Sequence, residues 1–84
     1  MKKIIKGRKY DTETANLIDY FTYGEPEGYK EALYQKKTSE FFVCTSGRYS
    51  DNEIYPLSEE ETKEWLEEYS DGDTYEKLFG EVEE

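Results

Sequence analysis

Eighty-four residues, 35% of them hydrophobic and with a formal net charge of −10, describe one small, strongly acidic domain over residues 1–84. A chain this short buries only about 60% of its unfolded surface, so nine Tyr, four Phe and one Trp must carry the packing. The charge disfavours nucleic acid and anionic membranes, and no apolar run reaches the roughly 20 residues of a membrane span or forms a signal peptide.

Lys2, Lys3, Lys6, Arg8 and Lys9 make the first ten residues +5, leaving −15 for the remainder. Ile4 and Ile5 before Gly7, with Tyr10 after it, predict a short hairpin pivoting on Lys6-Gly7. Its lysines either contact phosphates, neutralise acidic groups of the same chain or keep an edge strand from aggregating. Asp11 or Thr12 then offers a cap, Glu13 suits a first turn, and Ala15, Leu17, Ile18 and Phe21 share a helical face, which predicts a helix over about 12–22. Gly24, Pro26 and Gly28 predict a loop, with Tyr23 and Tyr29 as loop aromatics that form an interaction patch or a lid on a thin core.

From Tyr29 to Thr45 the period changes to two, predicting two antiparallel strands joined by Lys36-Lys37-Thr38-Ser39. Phe41 to Cys44 is apolar on both sides, which marks a central strand covered by a helix on at least one face. Ser46 to Asn52 reads as a polar loop and Glu53-Ile54-Tyr55 as a third short strand. Ser58 and Glu61 then form a capping box, so a helix should run over about 59–69 on an apolar side of Thr62, Trp65, Leu66 and Tyr69. Ser70 to Asp73 breaks it, Thr74 to Phe79 gives a further turn or two, and the tail 81–84 should fray. Residues 57–84 hold twelve Asp and Glu against two Lys, a net −10 that equals the charge of the whole chain.

The chain has no histidine, which excludes a Ser-His-Asp triad, a Cys-His pair and the commonest zinc sites. Cys44 alone cannot build a disulfide framework and points to a reduced, cytoplasmic setting. A pair of carboxylates could serve glycoside hydrolysis, but that needs a cleft deeper than so small a domain builds. Asp71-Gly72-Asp73 with Glu76 has half the look of a calcium loop but not the spacing of an EF-hand. No enzyme activity, cofactor or metal is therefore expected.

Most charge runs are simply solvated surface. Here the density argues for more: duplex DNA carries one charge per about 1.7 Å, and a helix rising about 1.5 Å per residue with several carboxylates per turn approaches that spacing. Tyr55, Tyr69 and Tyr75 among the carboxylates would add aromatic anchors.

Three stretches carry a resemblance: Lys3-Ile4-Ile5-Lys6-Gly7-Arg8-Lys9-Tyr10-Asp11-Thr12-Glu13-Thr14-Ala15, then Glu31 to Lys37 with Phe41-Phe42-Val43, and Pro56 to Glu61 before Trp65. In these the chain resembles a family of small acidic proteins of phages and mobile elements of Gram-positive bacteria. It departs in its short Thr45–Asn52 segment, where similar proteins have a longer, glycine-rich one. The resemblance implies a mobile-element setting, in which some small acidic proteins are anti-CRISPR inhibitors of type II Cas9 effectors.

Together these readings predict an α+β fold: a short N-terminal hairpin, one helix, a three-stranded antiparallel sheet and an acidic C-terminal helix. The predicted function is inhibition of a host nucleic-acid-binding defence complex, Cas9-like, by acidic nucleic-acid mimicry in the bacterial cytoplasm. Glu60, Glu64, Glu67, Glu68, Asp71, Asp73, Tyr69 and Tyr75 are the predicted partner-binding residues. The alternatives are an accessory protein that binds nucleic acid through the basic arm and a self-associating interaction protein.

Overall fold

The computed structural model describes residues 1–24, 28–47 and 50–80. Six strands and two helices follow in order: β1 (Lys2–Ile5), β2 (Arg8–Asp11), β3 (Asn16–Tyr23), β4 (Tyr29–Gln35), β5 (Phe41–Gly47), β6 (Ser50–Leu57), α1 (Glu59–Tyr69) and α2 (Gly72–Phe79). Strands β1 and β2 form a two-stranded sheet, and β3-β4-β5-β6 is an antiparallel meander. The first hairpin turns through Lys6 and Gly7, both at positive φ (51° and 78°), the left-handed pair that matches the twist of a tight hairpin.

This architecture corrects the sequence-based one in three places. The helix expected over 12–22 is a turn followed by strand β3, the sheet has four strands rather than three, and the acidic C-terminal segment is two helices rather than one. Asp11 does cap a turn, its Oδ1 accepting from the Glu13 N–H at 2.9 Å, but the chain leaves that turn after one α-type bond from the Ala15 N–H to the Asp11 carbonyl. Beyond it, Tyr20-Phe21-Thr22-Tyr23 is a run of aromatic and β-branched residues that suits a pleated strand and gains little from a helix. Tyr23 and Tyr29, expected in a loop, are paired strand ends, and Gly47 pairs with Ser50 where a longer loop was expected. Of the predicted Gly24–Gly28 loop, Glu25 to Glu27 lie outside the described residues, as do Arg48, Tyr49 and the tail 81–84.

Strand β5 is central, between β4 and β6, and the alternation of its side chains builds two cores. Phe41 and Val43 point to the helices and join Leu33, Trp65 and Leu66, with Ile18, Phe21, Leu57, Tyr75, Leu78 and Phe79 around them. Phe42 points the other way and meets Ile54 and Tyr10, flanked by Ile5, Ala15, Tyr34 and Cys44 under the N-terminal hairpin. Pro56 sits in β6, an edge strand, where its missing N–H breaks no ladder between central strands. Ser58 Oγ accepts from the Glu61 N–H at 3.1 Å while Glu61 Oε1 accepts from the Ser58 N–H at 2.9 Å, so α1 starts on the full capping box.

Candidate functional site

The sheet parts the charges of the molecule. The hairpin side carries Lys2, Lys3, Lys6, Arg8 and Lys9, all exposed, and the opposite side carries α1 and α2. Arg8 reaches Glu40 Oε2 at 2.9 Å and Lys36 reaches Glu40 Oε1 at 3.2 Å, so among the described residues the acid that the basic side pairs with is Glu40 and not one on the acidic helices. Lys36, with Arg8 and the Thr38 hydroxyl beside it, holds the Glu40 carboxyl below its ordinary range.

On α1 the buried residues Thr62, Trp65 and Leu66 set which side faces the sheet. Glu60, Glu64, Glu67 and Glu68 follow at steps of four, three and one, which places them within one outward stripe about 100° wide. All four are exposed, and none has an ion-pair partner among the described residues; Glu59 reaches Lys63 at 3.7 Å. Asp71, beyond the end of α1, caps α2, its Oδ1 accepting from the Thr74 N–H at 2.8 Å, which holds its carboxyl below the ordinary range. Asp73 is exposed in the first turn of α2. Tyr69, 41% exposed, stacks on Phe21 with ring centres 4.2 Å apart. Tyr75 stands apart from these: it is half-buried against the helix-side core and its ring leans on Phe79 at 5.6 Å.

A second group of residues on the helix side was not singled out as a site by sequence reasoning. Phe21, Glu31, Thr45 and Glu53 lie in one row across β3, β4, β5 and β6. Glu31 is half-buried and held at both oxygens: Trp65 Nε1–H donates to Oε1 at 2.9 Å and the Tyr29 hydroxyl donates to Oε2 at 2.7 Å. Burial, then the Glu31 carboxylate, push the Tyr29 phenol up to about 12, with Tyr55 and Tyr69 also contributing. The sequence signal available for this group was the period-two placement of Tyr29 and Glu31 on the same side of one strand.

That phenol gives a test. Its folded value lies above its unfolded value near 10, so between these the unfolded chain releases the proton first and stability falls as pH rises. Denaturation midpoints should therefore hold steady up to about pH 10 and decline from there to about 12, and Tyr29→Phe should flatten that decline.

Among the described residues no helix is long and apolar enough to cross a membrane, and no group of three or more acidic or cysteine side chains is placed to hold a metal ion. No family model, curated protein or solved structure matches the chain, so the fold and the two surfaces rest on the chain's own geometry.

Proposed function

We propose that the protein binds a basic nucleic-acid-binding protein of a host defence complex, of the type II Cas9 class, and inhibits it by presenting nucleic-acid-like charge. The supporting observation is that the α1 stripe is arranged at the expense of the helix that carries it. Glu60, Glu64 and Glu68 are like charges at successive i,i+4 positions, each such pair destabilising by about 0.2–0.5 kcal/mol. Glu67 and Glu68 also stand in the last turn, which contains no basic residue, where the helix dipole disfavours anions. A solubilising surface needs no such placement; a surface complementary to a cationic groove does. The resemblance to small acidic mobile-element proteins supplies the partner class, and the capping box with Trp65 and Leu66 keeps the carboxylates in a fixed array.

The test is competition with duplex DNA for a Cas9 effector at low and high salt. The wild-type protein should displace DNA at low salt and weaken about tenfold or more as salt screens the exposed charges beyond about 8 Å. Glu64→Gln, Glu67→Gln and Glu68→Gln combined should abolish displacement while slightly raising the melting temperature, because the repulsions within α1 are relieved. Displacement that is indifferent both to salt and to the triple substitution would sink the mimicry reading. A gel shift of labelled duplex by the protein alone would instead assign the function to the basic hairpin.

A further inference from the structure

We propose that the tyrosine-lined part of the helix-side sheet face receives an arginine side chain of the partner, with Glu31 as counter-ion and Tyr55 and Tyr69 as aromatic walls. This deepens the acidic-surface reading and rests on it. The cradle begins with Glu31, whose two oxygens are each fixed by a neutral ring donor, Trp65 Nε1–H and the Tyr29 hydroxyl. Neutral donors orient a carboxylate without cancelling its charge, and each oxygen keeps a lone pair for another donor. Tyr55, two residues from Glu53 on the same side of β6, and Tyr69, its ring centre 5.5 Å from that of Trp65, flank this face and remain 50% and 41% exposed. Glu53, half-buried in the same row, and Glu68, close enough to Tyr69 to raise its phenol, add negative potential without closing the surface.

What the cradle lacks, among the described residues, is a cation. Elsewhere the chain places its own lysines over its rings: Lys30 over Tyr20 at 4.6 Å, Lys36 over Tyr10 at 4.2 Å and Lys63 over Phe79 at 5.1 Å. Lys30 neighbours Glu31 in sequence but, one residue along a strand, lies on the hairpin side of the sheet. The aromatic group that encloses a half-buried carboxylate is thus the one without such a partner among the described residues. Phe21 stacks on Tyr69 at 4.2 Å and Trp65 packs against it in a T-shaped arrangement at 5.5 Å, and the 41% of Tyr69 that remains exposed is what a cation can reach. Arginine suits the geometry better than lysine, because a planar guanidinium can lie flat on a ring while its N–H fork points at a carboxylate.

The experiment titrates the full chain with nona-arginine and nona-lysine peptides and follows the indole N–H resonance of Trp65, the one tryptophan and the donor to Glu31. Nona-arginine should shift that resonance saturably and bind about fivefold or more tighter than nona-lysine. Glu31→Gln, and separately Tyr55→Ala at a half-exposed position, should remove the shift and the preference. The triple glutamine variant of α1 should weaken both peptides equally and keep the shift. Binding with no indole shift, or with no preference for arginine, overturns the cradle while leaving the acidic-surface reading in place. Failure of both peptides to bind overturns both. A shift that emerges only after Arg48→Ala would assign the cradle to the chain's own arginine and likewise overturn the proposal.

Discussion

Phe42→Ala should destabilise the protein by about 3–5 kcal/mol, a large share of the roughly 5–15 kcal/mol that holds a small domain together. The ring is fully buried on the hairpin side of β5. It stacks on Tyr34 with centres 5.2 Å apart and meets Tyr10 edge-on at 5.6 Å, so truncation removes two aromatic pairs as well as apolar area. No neighbour can collapse into the gap without pulling the hairpin or bending the central strand. The measurement is urea unfolding followed through Trp65, which lies on the opposite side of the sheet. Because β4 and β5 contribute side chains to both cores, the Trp65 transition should move to lower urea with an unchanged slope. A Trp65 transition that stays put would mean the hairpin side melts on its own.

Leu66→Ala should cost about 2–5 kcal/mol, and its effect should reach the proposed function directly. Leu66 is 1% exposed and ties α1 to Leu33, Phe41 and Val43. Loss of its side chain leaves the sheet intact in composition but loosens the helix whose outer stripe carries Glu60, Glu64, Glu67 and Glu68. Amide exchange should accelerate more in α1 than in β5, and displacement of DNA from the partner should weaken even at temperatures where the sheet stays folded. Equal acceleration everywhere, with binding retained, would show that a fixed array is unnecessary.

What the sequence made legible follows from how local each signal is. The capping box at Ser58 and Glu61, the Lys6-Gly7 turn and the doubly apolar run Phe41 to Cys44 each depend on a few adjacent residues, and each has its counterpart in the structure. Strand β3 was illegible for a specific reason. A register shift between Leu17 and Asp19 breaks the period-two pattern, so Ile18 and Phe21, three apart, share the helix side while Leu17 and Tyr20, also three apart, face outward. A bulged strand thereby imitates the spacing of a helical face, and Asp11 supplied a turn signal that could be mistaken for its cap. The stripe of α1 could be read from spacing alone. The Glu31 cradle could not, because it joins residues from β4, β6 and α1 that only the meander and the returning helix bring together.

The sheet's separation of basic hairpin from acidic helices also acts before any contact is made. Charge of opposite sign on the two sides of a thin slab gives the molecule a permanent dipole, and the field of a cationic body exerts a torque on a dipole as well as a pull on its net charge. Within about a Debye length of such a body the molecule would be turned helices-first, with Lys2, Lys3, Lys6 and Lys9 trailing. Against such a body, arrivals in the wrong orientation would be thinned out in solution, so the same four-stranded partition that divides the two cores would also select how the protein lands.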